Sequence, residues 1–447
     1  MSYQGSFTFS GGYDTPDNDP DLVYYNATII NNKTDVTAVE PPDPQIRFQE
    51  TRSIPIIKDA SKYHFSIVRF TMSGPNKDLP LFIPVIRTGA SNPTNDVNKT
   101  IYSITLTMRK NGQTYTSGPV PITYVSETQD PVIAPTPLPA SIADGQQDLS
   151  TRYYWVYTYC HWLDLVNQAL VTARANVATA YGGAVITQAP IMTYEPTSNL
   201  FSILSDTYGF GGADRRSAGL AAPLDEEWNL FFNADMTGLF TNFNNLYVNG
   251  RPSGSFAPLT LPLPEATNQI IIQNIAGQNI VDVALPWSVP PPVPAKYYWK
   301  TTQCCESTSS IWSPIESIVF TSALLPLVNE ATGDPVTFGS GNLGLENQNT
   351  QSAFQPIITD IALPLQNACN YREFIEYAPV AEYRMASFQR SKQPINSIDI
   401  QVYWKNRLDG SLYPVNMFNS SSVTVKILFR RRGVFDYPHP AKMGMDV

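Results

Sequence analysis

Residues 398–406 read Ile-Asp-Ile-Gln-Val-Tyr-Trp-Lys-Asn, and their alternation decides the fold class. Ile398, Ile400, Val402 and Trp404 share one face, with Asp399, Gln401 and Lys405 opposite, which is the two-residue period of a half-buried strand. Asp409-Gly410 supplies turn chemistry, and Val423, Val425, Ile427 and Phe429 repeat the pattern, so a hairpin joining these two runs is expected. Burying such apolar side chains contributes roughly 1.5–3 kcal/mol each, which makes the pair a core element.

The same logic extends backwards along the chain. Tyr102, Ile104, Leu106 and Met108 alternate with Ser103, Thr105 and Thr107. Asn111-Gly112 then favours positive φ at both turn positions, so 114–125 is expected to return as an edge partner demoted by Pro119 and Pro121. Further strand-like runs are 46–57, 63–72, 269–275, 280–285 and 315–325, with proline or glycine between them. One stretch has a helical period: Trp162, Leu163, Val166, Leu170, Ala173 and Val177 fall on one face, with a second short candidate at 236–243. The prediction is a mainly all-β protein.

Composition agrees. The chain has 447 residues, so one elaborated domain and two modest ones are both open. Only 15% of residues are charged and 38 are proline, whereas 12% are aromatic, a globular and turn-rich balance. The net charge of −9, with no segment concentrating enough basic charge to neutralise a polyphosphate, argues against a nucleic-acid ligand. The start carries no secretion signal, and the longest apolar run, 317–328, falls short of the ~20 residues that span a bilayer. Four cysteines form no disulfide framework, which fits a reducing compartment and a cytosolic, soluble product.

Chemistry-bearing residues are few. The three histidines are His64, His161 and His439, and no nucleophile-elbow, zinc or phosphate-loop motif occurs. His64 is expected on the strand face of Val68 and Phe70 as a structural histidine. Cys160-His161 are sequence neighbours whose side chains diverge, and the adjacent Cys304-Cys305 read as buried packing. Gly339 to Gly344 matches a dinucleotide fingerprint, but the apolar helix that must follow is missing. Asp17, Asp19 and Asp21 have the opening spacing of a calcium loop, yet Pro20 and Thr28 spoil it, leaving a solvated acidic arm. Sequons at Asn26, Asn32, Asn98 and Asn419 mean little without secretion, and Asp225, Glu226 and Glu227 read as a charge run. No catalytic, cofactor or metal residues are assigned, and no cofactor is expected.

Four stretches stand out: Tyr-His-Phe-Ser-Ile-Val-Arg-Phe at 63–70, Met-Thr-Tyr-Glu-Pro-Thr-Ser-Asn-Leu-Phe-Ser-Ile at 192–203, Trp-Ser-Pro-Ile-Glu-Ser-Ile-Val-Phe at 312–320 with its continuation to Pro326, and 398–406 itself. They resemble the penton (minor capsid) proteins of virophages and Polinton-like viruses. The likeness also takes in 376–384 and 422–429.

The resemblance implies a jelly-roll β-sandwich with a helix-containing insertion or long loops, five copies of which close each vertex of an icosahedral shell. On that basis residues 1–21 are an extended arm, 22–126 with 296–432 the jelly-roll strands, 127–295 the insertion, and 433–447 a tail. Implied partners are further copies in a homopentamer, neighbouring major capsid proteins, and a host receptor or glycan. The implied location is the virion vertex after synthesis in host cytoplasm. Loops 82–86 and 287–294 are candidate flanks for the ring contact. Alternatives are a double jelly-roll shell subunit, or a spike-like protein whose exposed Tyr and Trp stack on sugars.

Overall fold

The structure is a computed structural model that describes residues 19–31, 45–73, 79–87, 98–127, 152–210, 226–247, 268–270, 272, 280–282, 297–304, 312–328, 330–331, 354–362, 374–378, 385–389, 392–407, 410–417 and 421–432. The expected arm up to residue 18, the 433–447 tail with His439, the glycine motif at 339–344, the 287–294 loop and Cys305 lie outside the described residues.

Eight strands from the two ends of the chain form one sandwich. They are β1 (Leu22–Asn31), β2 (Arg47–Thr51), β3 (Tyr63–Ser73), β4 (Ile315–Thr321), β5 (Ile357–Ile361), β6 (Phe374–Tyr377), β7 (Ser397–Asn406) and β8 (Ser421–Arg431). One antiparallel sheet runs β1-β8-β3-β6 and the other β5-β4-β7-β2. First therefore pairs with last, second with seventh, third with sixth and fourth with fifth, which is a jelly roll. Its interior is apolar and aromatic: Phe70 meets Phe320 across the sandwich at 4.9 Å between centroids, and Phe65 meets Phe429 at 5.1 Å.

The expected hairpin between 398–404 and 423–429 does not form. β7 pairs with β4 and β2, and β8 with β1 and β3, so the two runs lie in opposite sheets. Gly410, at φ 73°, does turn the chain, but the returning strand is only Leu412–Pro414 against Tyr403–Lys405. Alternation records which face is buried; it does not record which strand lies alongside.

A second correction concerns β3. Its register with β8 shifts between Lys426 and Ile427, leaving Val68 as the extra residue of a bulge. The bulge turns Phe70 to the inner face with Phe65 and Ile67, while His64 and Val68 stay half-exposed. His64 Nδ1 lies 3.4 Å from Ser387 Oγ.

Between β3 and β4 the chain builds a second β body. Lys99–Lys110 pairs with Gln113–Thr116 and Val120–Thr123 on one side, as the Asn111-Gly112 turn requires, and with Glu227–Phe232 on the other. A further sheet joins Ile280–Asp282, Tyr297–Thr302, Leu200–Asp206 and Ile191–Glu195. These pairings carry 99–123 and 297–302, expected among the jelly-roll strands, into the middle body.

The predicted helix spans Tyr159–Tyr181, capped by Thr158 Oγ1 on the His161 N–H and ended by Gly182 in the left-handed region. Its apolar face buries Trp162, Val166, Leu170, Ala173 and Val177, and its Asn167 makes paired hydrogen bonds with the Met192 backbone at 2.7 and 3.0 Å. The short helix is Ala234–Leu239, with Asn233 as its cap.

The two bodies share one core through Trp155, whose ring lies 5.3 Å from Trp404 on β7. They also define a polarity. The middle body leaves from the end of β3 and returns at the start of β4, whereas Asp19, Asp21, Lys62 and Arg431 meet at the opposite end through Lys62–Asp19 and Arg431–Asp21 ion pairs.

Trp404→Ala is expected to lower stability by about 3–5 kcal/mol, the usual cost of truncating a buried Trp. Denaturant unfolding checks this, with Tyr403→Ala, half-exposed on the same strand, showing a much smaller loss.

Candidate functional site

Cys160 with His161, Cys304, and Asp19 with Asp21 lie on three separate segments of the structure. His161 Nε2 lies 2.7 Å from the Val125 carbonyl, and the neighbouring Cys160 is exposed. Cys304 is exposed too, not buried as expected, because the strand Tyr297–Thr302 has ended before it. Asp19 and Asp21 each pair with a cation, and among the described residues no group of three His, Cys, Asp or Glu is placed to hold a metal. Among the described residues no helix is long and apolar enough to cross a membrane.

Two buried carboxylates hold turns. Asp399 accepts from Ser322 Oγ and from the backbone N–H groups of Ala323 and Leu324, both at 2.9 Å, which shapes the loop leaving β4. Glu226, far from a solvated charge run, accepts from Lys110 at 3.1 Å, Thr187 at 2.9 Å and Trp228 at 3.4 Å. Lys110 also sits over the Tyr181 ring, so this cluster ties the helix end to the middle sheet. Burial alone would raise the Glu226 pKa, but the hydrogen bonds from Lys110, Thr187 and Trp228 outweigh it and hold the carboxyl below the ordinary range. Gly209 passes so close that a Cβ there would lie 2.4 Å from both Thr187 and Trp228.

Six tryptophans among the described residues, Trp155, Trp162, Trp228, Trp299, Trp312 and Trp404, are buried and so offer no exposed ring for stacking on sugars. Loop 82–86 is likewise no flank: Phe82 packs on Trp162 and Trp312, Ile83 and Ile86 are buried, and only Val85 shows an exposed large side chain.

What the jelly roll does expose lies on its two flanks. On the first, Tyr25 of β1 donates to Glu50 of β2, and the Arg52 guanidinium bonds Glu50 at 2.7 Å while lying 5.3 Å above the Tyr25 ring. Burial, then the hydrogen bond to Glu50, pushes the Tyr25 phenol up to about 12, and the Tyr25 and Arg52 bonds hold Glu50 below its ordinary range. Beside this clasp an open groove of about 640 Å³ runs between Val23–Tyr25 and Thr51–Ile56. Tyr24 is 54% exposed there and Ile54 76%. On the second flank, Leu324, Val328 and Met385 are exposed where the loop after β4 meets the short strand Ala386–Ser387 beside β3. Alternation in the sequence marks inward positions, and it gave no signal for these outward ones.

Residues 23–431 match the family described as Sputnik minor capsid protein V18/19. The chain belongs to that family. This minor capsid protein is 32% identical over 170 residues to the uncharacterized protein V18 of Sputnik virophage, covering 37% of this chain and 89% of V18. Its fold is similar to a chain in the cryo-EM structure of the Sputnik virophage, with a TM-score of 0.69 at 22% identity over 94% of this chain and all of that one. It is also similar to the mavirus penton protein, with a TM-score of 0.54 at 13% identity over 92% of this chain and all of that one. The minor capsid protein is thus a structural component of the virion that assembles with other capsid proteins.

Because Glu226 has a depressed pKa, its contribution to stability is complete above the ordinary carboxylate value of about 4.3 and is lost as the pH falls through the lower folded value. Glu226→Gln should cost about 1–3 kcal/mol near neutral pH and flatten that acid limb, as read from melting curves across the acid range.

Proposed function

We propose that this minor capsid protein is the penton, closing each fivefold vertex of an icosahedral shell as a homopentamer and contacting major capsid proteins around it. The observation that carries this reading is the strand order. Among the described residues the nested order of a jelly roll occurs once, and the middle body is inserted within it, between β3 and β4. A double jelly-roll shell subunit needs two such sandwiches side by side to mimic six positions with three chains. One sandwich per chain instead suits a ring of five.

The polarity of the chain supports a separate place for each body in this proposal. The jelly roll, residues 22–73 with 315–432, sits in the shell, and the body between them projects on the side opposite Asp19 and Arg431. The protein is made in host cytoplasm and works by shape, without a catalytic step. Family membership and the inward-facing tryptophans support this reading over a glycan-binding spike.

Light scattering or native mass measurement on the purified full chain should give five copies, and a particle reconstruction should place it as a minor component on the fivefold axes. A chain that stays monomeric and is missing from the vertices overturns the proposal.

A further inference from the structure

A closed ring of identical subunits needs a head-to-tail contact, in which one flank of each copy meets a different flank of the next. The distribution of exposed apolar side chains on this jelly roll has that form. Leu22, Tyr24, Ile30 and Ile54 lie on the β1/β2 flank, and Leu324, Val328 and Met385 on the other. None lies on β3, β4, β7 or β8, the inner strands of the two sheets.

The patches also match in level. Tyr24 is near the start of β1 and Ile54 follows the end of β2; Leu324 and Val328 follow the end of β4, and Met385 precedes the residues paired with the start of β3. The start of β1, the end of β2, the start of β3 and the end of β4 all fall at the same end of the sandwich, because the paired strands are antiparallel. One flank is concave, with the groove of about 640 Å³, and the Leu324–Val328 loop of the other is held out by the Asp399 carboxylate.

Charge follows the same division. From Arg47 to Lys58 the first flank carries Arg47, Arg52 and Lys58 against Glu50 alone. The edge strands of the other flank, β5 and β6, carry Asp360 and Glu376 and no cation. Opposite charge on facing flanks steers encounter and sets register, whereas two like flanks in a twofold contact would oppose each other.

Resting on the pentameric reading, we infer that the occupant of the Tyr24–Ile54 groove is the Leu324, Val328 and Met385 corner of the next copy in the ring. The groove is the socket and the corner the plug of one repeated contact.

Ile54→Glu tests it, because a side chain 76% exposed in the lone subunit leaves the fold intact when replaced. The variant should keep the wild-type melting temperature as a monomer and lose the pentamer. Val171→Glu, at an apolar position 58% exposed on the long helix, should keep the pentamer. In parallel, the double variant Ile54→Cys with Val328→Cys should give an oxidised ladder reaching five chains, which neither single variant gives. A wild-type pentamer that survives Ile54→Glu, with no ladder from the double variant, overturns the socket and plug while leaving the penton reading standing. A wild type that forms no pentamer, alone or in particles, takes down both.

Discussion

The contact between Trp155 and Trp404 joins the jelly roll to the β body inserted in it. The chain leaves the jelly roll from β3 in one sheet and re-enters it at β4 in the other, so the inserted body must sit across the open end of the sandwich. A sandwich end is where apolar interior meets solvent, and a bulky side chain must close it. Trp404, at the last turn of the inward face of β7, does so from below; Trp155 and Tyr413 pack on it from the side, with centroids at 5.3 and 4.8 Å. The core continues from there through Phe82, Trp162 and Trp312 without a break. The two bodies are therefore coupled by packing, and the orientation of the inserted body is set by rigid rings instead of by a linker.

Much of the local structure is legible in the sequence, and the reasons are local. Residues 101–108 alternate apolar with small polar side chains. Both faces are buried, with Ile104, Leu106 and Met108 on one and Ser103, Thr105 and Thr107 on the other, so the pattern marks the strand but not an exposed side. Asn111-Gly112 adopts φ of 53° and 75° because a tight turn demands them. The helix from 159 to 181 repeats its apolar residues on the side that meets two sheets. Partnership was not legible. Residues 398–404 and 423–429 both point their apolar faces into the same interior, but from opposite sides of it, and a pattern of burial is identical for a strand beside and a strand across. The start of the insertion is hidden for a related reason: nothing in the alternation of 99–110 tells whether its neighbour is 63–73 or 227–232.

Side-chain roles followed the same rule. The bulge at Val68 moves His64 off the face of Phe70, and a single extra residue has no signature in composition. Glu226 reads as one of three acidic neighbours, and only the fold brings Lys110 and Thr187 to it from two separate segments, beside Trp228 of its own. The absence of catalytic motifs was readable directly, since it depends on which residues exist and not on where they meet. The flanks were not, because an exposed Ile54 or Val328 looks like any other aliphatic residue until its strand has a place at the edge of a sheet.

Asp19 and Arg431 meet beneath the start of β3, on the far side of the jelly roll from Trp155. Among the described residues, Asp19 and Arg432 therefore bound the jelly roll at one end of the sandwich, and the body between β3 and β4 packs at the other. No described strand of that body joins a jelly-roll sheet, so a change of length in its loops alters its own surface without breaking a pairing among β1 to β8.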